Sequence, residues 1–169
     1  MKAHIRRQLD KFDIRLLKQL TTDASQTNSQ LGKKIGIFSA SAISKRRKLL
    51  VKSGMVSGVK ASLNLERCNL DYPVVILVRG KYGLNYVENL GEKLRSLPGI
   101  LSVYNVSGDI DFIVFAVYKN RTEYLSILDR LYNINEIERT DTRQIYSVIK
   151  DFDYSNAINL AEEDQYITK

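Results

Sequence analysis

Apolar positions recur with a helical period at the start of the chain. Leu9, Phe12, Leu16, Leu17 and Leu20 fall near i, i+3, i+4 and i+7 spacing and predict a helix over Leu9–Leu20. Asp10 and Asp13 stand near its beginning, where negative charge favours the helix dipole. Thr21, Thr22, Asp23 and Ser25 break it. Thr27 followed three residues later by Gln30 is a capping-box pattern and opens a second helix whose apolar side is Leu31, Ile35 and Ile37. Ser39 or Ser41 caps a third helix that runs to about Lys52, with Gly54 placed to end it. From Met55 to Leu65 the pattern changes to alternation through Val56, Val59, Ala61, Leu63 and Leu65, as a short hairpin or an extended linker would have it.

The rest of the chain predicts strand, helix, strand, strand, helix, strand. The strands are Tyr72–Arg79, Ile100–Val106, Ile110–Tyr118 and Arg139–Ile149, and the helices Leu84–Leu97 and Tyr124–Tyr132. Ser107, Gly108 and Asp109 join the middle strands as a hairpin. This βαββαβ order is the ferredoxin-like pattern. The chain therefore reads as α+β: an N-terminal helix-turn-helix (winged-helix-like) domain over residues 1–56, a linker or hairpin over 57–71, a ferredoxin-like domain over 72–150, and an acidic C-terminal tail over 151–169. That tail either forms a short helix around Ala157–Glu163 or stays mobile. The first and third strands are apolar on both faces, through Val74–Val78 and Phe112–Val117. A sheet with helices on one side only would then need cover on the other, by a second subunit or by the domain's own tail or linker.

Charge changes the picture of the first domain. Residues 1–60 carry 14 Lys and Arg against three Asp and no Glu, whereas residues 61–169 carry 12 basic and 16 acidic residues. A basic third helix behind a turn fits the major groove of DNA. With about 100° per residue, Ser41, Lys45, Lys48 and Lys52 lie opposite Ile43, and Ser44 is at the edge of that face. They are the candidate DNA contacts, with Ser39 at the helix start; a solvated basic helix is the plain alternative. Arg46 and Arg47 flank the packed side, which predicts packing or internal hydrogen bonds. Thr27, Asn28 and Ser29 open the second helix, where they either hold a phosphate or simply cap it. Lys33 and Lys34 are lesser phosphate candidates, and Lys2, Arg6 and Arg7 form a possible arm.

Around Ser107–Asp111, a glycine turn frees N–H groups for a carboxylate, and Asp109 or Asp111 could pair with an ammonium. An α-amino acid has both groups. On these residues alone an ordinary hairpin turn, with Asp111 capping it, is the simpler reading. Enzyme chemistry finds little support: His4 is the only histidine, Cys68 the only cysteine, and no metal-ligand set or nucleophile elbow is present. We expect no enzyme, no cofactor and no metal. The lone cysteine, the lack of a long apolar run and an N-terminus without an apolar core suit a cytoplasmic protein without a membrane anchor.

These elements resemble the leucine-responsive and asparagine-synthetase (Lrp/AsnC, feast/famine) regulators. Leu9, Asp10, Asp13, Leu16, Leu17, Leu20, Asp23 and Ala24 match in the first helix, and Ser39, Ile43, Arg46, Leu50, Gly54 and Val56 in the third. Gly108, Asp109, Ile110 and Asp111 match the hairpin signature, and Thr140 and Thr142 the last strand. The chain departs from the pattern by an extra residue, Phe38, in the turn, by Gly32 where alanine is usual, by Ser25 for arginine and by Arg47 at an apolar position. The resemblance implies a transcriptional regulator that binds double-stranded DNA and forms homodimers and higher oligomers. It also implies an amino-acid effector site near the hairpin, formed by Ser107, Gly108, Asp109, Asp111, Thr140 and Thr142. A weakly sequence-specific architectural chromosome binder is the alternative. A sirohaem-decarboxylase-like enzyme ranks below it, because the second domain has no histidine.

Overall fold

The computed structural model describes residues 9–163. Lys2, His4, Arg6, Arg7 and the last six residues lie outside them. In chain order the elements are α1 (Lys11–Thr22), α2 (Asn28–Ile35), α3 (Ala40–Lys52), a 3-10 turn (Glu66–Cys68), β1 (Tyr72–Gly80), α4 (Tyr86–Ser96), β2 (Ile100–Asn105), β3 (Phe112–Tyr118), α5 (Arg121–Tyr132), β4 (Ile137–Gln144) and α6 (Tyr154–Glu163). Residues 57–64 form neither helix nor strand, so the short hairpin considered there is not formed. The chain divides into two units, Met1–Ala61 with Lys150–Lys169, and Ser62–Ile149.

In the first unit local chemistry sets the helix ends. Asp10 and Asp13 form a reciprocal capping box on α1, and Thr27 and Gln30 form another on α2. Gly36 closes α2 in the left-handed region at φ 84°, where glycine carries no Cβ penalty. Ser39 caps α3 by accepting from the Ala42 N–H. The helices bury Leu16, Leu17, Leu31, Ile35, Ile43 and Leu50 together, each such side chain contributing about 1.5–3 kcal/mol. Into the edge of this core comes Ile158 of α6, which packs against α1. The C-terminal tail thus supplies a fourth helix to the helix-turn-helix unit. Asp153 directly precedes α6, and its carboxylate accepts from the Ser155 hydroxyl and the Ser155 and Asn156 N–H groups and pairs with Lys150.

In the second unit all strand pairs are antiparallel, in the order β2-β3-β1-β4. Alternation sends Val74, Ile76 and Val78 of β1 and Phe112, Val114 and Ala116 of β3 to one face. There they pack with Leu90 and Leu94 of α4 and with Tyr124, Ile127 and Leu131 of α5. Val75, Leu77, Ile113 and Phe115 point to the other face and are half-buried. The helices therefore account for only one of the two apolar faces.

Candidate nucleic-acid interface and effector region

α3 sorts its cations by direction. Lys45, Lys48 and Lys52 are exposed, with no ion pair among the described residues. Arg46 turns inward: its Nη1 donates to Asp10 Oδ2 and Asp13 Oδ1, both at 2.7 Å, and Asp13 is fully buried. Arg46 also stands 5.6 Å from the Phe12 ring centroid. Burial alone would raise the Asp10 pKa, but the Asp13 N–H and the Arg46 guanidinium together hold it below the usual carboxylate value. In return the Asp10 hydrogen bond raises the pKa of Arg46 against the effect of its partial burial. Arg47 donates to Asn28 Oδ1 at 3.1 Å, tying α3 to the start of α2. Both arginines of the helix are thus spent on its placement, and its outward charge is lysine alone.

The hydroxyl and amide candidates divide as well. Thr27 Oγ1 accepts from the Gln30 N–H and donates to Gln30 Oε1, and the Asn28 carbonyl oxygen holds Arg47. Both side chains serve the fold. Ser29 is exposed beside them. Ser39 and Ser41 share a hydrogen bond of 2.8 Å at the exposed start of α3, and Ser44 is half-buried. Ser41, Lys45, Lys48 and Lys52 therefore form one continuous outward face.

Around the hairpin the structure corrects one reading. Asp111 is buried and both its carboxylate oxygens are engaged: Oδ2 accepts from the Gly80 N–H at 2.8 Å and Oδ1 from the Tyr86 hydroxyl at 3.2 Å. Its own N–H donates to the Val78 carbonyl, and its carbonyl accepts from the Val106 N–H and the Asn105 amide. Asp111 fastens the hairpin to β1 and α4 and is not presented to a ligand ammonium. Nor does it cap the turn locally, since its side-chain partners are far along the chain. Burial, then the Asp111 carboxylate, raises the Tyr86 pKa. Ser107, Gly108 and Asp109 remain exposed at the turn, with Gly108 at φ 124°. Tyr82 and Leu84, in the loop before α4, are exposed nearby in sequence to Tyr86, and Tyr82 meets the Tyr86 ring edge-on.

Thr140 and Thr142 pair with Val78 and Ile76, so they share the helix-covered face. Burial pushes the Tyr124 pKa up, and the Thr142 hydroxyl opposes that push. The hairpin and β4 are two strands apart, roughly 10 Å at the usual strand spacing. Within one subunit the two threonines and the hairpin turn are therefore not in contact with one small ligand's charged groups.

Residues 9–57 match the winged helix-turn-helix DNA-binding model, and residues 74–154 match the Lrp/AsnC ligand binding domain. An HTH-type transcriptional regulator of Pyrococcus horikoshii is 30% identical over 146 residues, 85% of this chain and 96% of that protein. The chain belongs to the Lrp/AsnC family. The glutamate uptake regulatory protein of Zymomonas mobilis is 28% identical over 159 residues, 92% of this chain and 93% of its own length. Among solved structures, a transcriptional regulator of Neisseria meningitidis in complex with L-Met superposes with a TM-score of 0.80 at 26% identity, covering 85% of this chain and 94% of that one. Escherichia coli AsnC shares the fold, with a TM-score of 0.76. An Lrp/AsnC regulator with a DNA-binding helix-turn-helix and a ligand-binding ferredoxin-like unit is thus the architecture present.

What the sequence missed in this regulator is mainly the foundation of its sites. Tyr86 and Gly80 hold Asp111, and Asp13 holds Arg46. The one available signal was Asp13 itself, an acid on the apolar side of α1 next to Ile14 and Leu16–Leu17.

Proposed function

We propose that this Lrp/AsnC regulator grips DNA through the outward face of α3, mainly by phosphate contacts, as a dimer or larger homo-oligomer, and that an α-amino acid at the hairpin tunes it. The carrying observation is the sorting of cations on α3: Lys45, Lys48 and Lys52 face outward while Arg46 and Arg47 are held inside. Lysine suits phosphate oxygens as a point charge, so affinity should fall steeply with salt. Pairing of subunits through Val75, Leu77, Ile113 and Phe115 would cover the second apolar sheet face and set two α3 helices on a two-fold axis, as a pseudo-palindromic site requires.

For the effector, exposed Ser107, Gly108 and Asp109 offer N–H donors and one free-standing carboxylate, and the relative solved with L-Met supports the ligand class. Thr140 and Thr142 would take part only if another subunit brought them to the hairpin. No enzymatic role is proposed, and the cell compartment is the cytoplasm.

The test measures DNA affinity against salt for the wild-type chain, Lys45→Ala and Lys48→Ala. Each substitution should flatten the slope of log K against log salt by about 0.9, one phosphate contact. Unchanged slopes in both would refute the contact face. Footprinting decides the architectural alternative, which the arginine-free outward face favours: discrete half-sites support the regulator, and featureless coverage supports the chromosome binder. Adding each amino acid singly should raise thermal stability for at least one; no response to any of them would mean a regulator without such an effector.

A further inference from the structure

Phe38 is 88% exposed and lies between α2 and α3. It directly precedes Ser39, the N-cap of α3. An apolar residue at this position ordinarily packs on the fourth helical residue as a hydrophobic staple. That residue is Ile43, which is fully buried without Phe38's help. Ile37 fills the inward position instead: it packs on the core, and its N–H donates to the Gly32 carbonyl at 2.9 Å. The Ile37 carbonyl lies so close over Gly32 that an added Cβ there would meet it at 2.2 Å. The turn is folded inward at Ile37, and Gly32 makes room for it. Phe38 is thereby turned out to solvent.

Its surroundings narrow what the ring could meet. Ser29, Ser39, Ser41, Lys45 and Lys48 are exposed on the flanking helices, a set of hydroxyls and cations continuous with the proposed DNA face. The N-terminal end of a recognition helix is the part that reaches base edges in helix-turn-helix docking. The major-groove edges of the bases carry one apolar group, the 5-methyl of thymine, and phenylalanine is a side chain that packs on it.

We propose that Phe38 is a specificity-determining residue that lays its ring on a thymine 5-methyl group in each half-site. This rests on the reading of α3 as the DNA-contacting helix. It adds apolar base readout to a face that otherwise offers lysine and serine.

The experiment is uracil interference. A duplex selected from a random-sequence pool by the wild-type chain is prepared with uracil replacing thymine at random positions. Bound and free fractions are then sequenced. Wild type should disfavour uracil at one or two positions per half-site, by about fourfold for each methyl removed. Phe38→Ala should lose that discrimination there and keep the rest of the pattern; Phe38→Leu should keep part of it. Melting temperatures should match wild type, because the ring is not packed. An identical pattern in Phe38→Ala, indifference of the wild type to uracil, or an equal loss of affinity on thymine and uracil duplexes would each overturn the proposal. Failure of the underlying reading looks different: Lys45→Ala and Lys48→Ala would then leave the salt slope untouched.

Discussion

Replacing Arg46 by Met tests how the recognition helix is held. Methionine keeps an apolar stem of similar reach and removes the guanidinium. Two ion pairs are lost, and their contributions differ. Asp10 is 48% exposed, so its half of the pair contributes at most about 1 kcal/mol. Asp13 is fully buried, and it loses a charged donor at 2.7 Å while keeping its other contacts, the Asp10 N–H at 3.4 Å among them. Breaking a fully buried pair costs about 3–5 kcal/mol. Arg46 is 24% exposed, so water reaches the vacancy and the cost falls below that range. The expected loss is about 2–3 kcal/mol in the first unit, a fall of roughly 10–20 °C in its melting transition.

The assay is urea unfolding of the full chain followed by far-ultraviolet circular dichroism, with Asp13→Leu and the double variant Asp13→Leu/Arg46→Met alongside. Removing both charges eliminates the buried carboxylate, so the double variant should be more stable than Arg46→Met alone. A loss below about 0.5 kcal/mol for Arg46→Met, or a double variant as unstable as the two singles summed, would refute the reasoning. DNA binding supplies a separate check. If Arg46 is purely a tether, Arg46→Met should keep the wild-type salt slope at temperatures where it is folded; a slope flatter by about 0.9 would make Arg46 a phosphate contact instead.

Other changes probe neighbouring features. Ile158→Ala should lower the melting of the first unit by about 1–2 kcal/mol, less than a full core truncation because Ile158 is half-buried, and leave the second unit unchanged. Gly32→Ala should cost about 1–3 kcal/mol by overpacking against the Ile37 carbonyl; combined with deletion of Phe38, which shortens the turn, it should be tolerated in the same denaturant titration. Asp10 has a folded pKa held below its usual 3.8. Its contribution is therefore complete above about pH 4 and lost as pH falls through the folded value, and acid titration of Asp10→Asn should show a smaller loss over that window. Asp111→Ala should destabilise the second unit by about 2–3 kcal/mol by stranding the Gly80 N–H and should bring the Tyr86 ionisation back toward ordinary values in an ultraviolet titration.

Features fixed within a few residues were legible before the structure. The Thr27–Gln30 capping box, Ser39 as a cap, and the strand and helix order each follow from local spacing, and the observed boundaries fall close to the expected ones except at β4, which ends at Gln144. The inward turn of Arg46 was also legible, because helical periodicity alone sets it beside Ile43. Its partner was not. The sequence offers Asp13 the local role of a dipole-favouring acid, and nothing around it shows a guanidinium 33 residues away. Asp111 is a like case: its partners lie 31 and 25 residues off, so the hairpin signature read by itself offered only a local turn cap or an acid free for an ammonium. α6 lies between these cases. Its helical tendency was one of two readings, but its docking depends on the apolar surface formed by Leu17, Leu20, Met55 and Val56, which exists only once the first unit has folded.

Those two acids share a logic. Asp13 and Asp111 are the buried carboxylates among the described residues, one in each unit. Burying a carboxylate is costly unless several donors hold it, so each persists where its donors fix something the packing alone leaves loose. Apolar contacts set the distance of α3 from α1 through Ile43 and Leu50, but they are non-directional and tolerate rotation of the helix about its axis. The bonds from Arg46 Nη1 to Asp10 and Asp13 remove that freedom and so decide which residues face outward. Asp111 does the same for the hairpin: β2 and β3 alone leave a glycine turn free to bend, and the bonds to Gly80 and Tyr86 anchor its base while Ser107–Asp109 stay exposed. On this argument, neutralising either acid should change the aim of a functional surface before it unfolds the unit. Asp13→Asn would then loosen sequence discrimination on DNA at a temperature where helix content is unchanged; discrimination equal to wild type under those conditions would show that apolar packing alone aims α3.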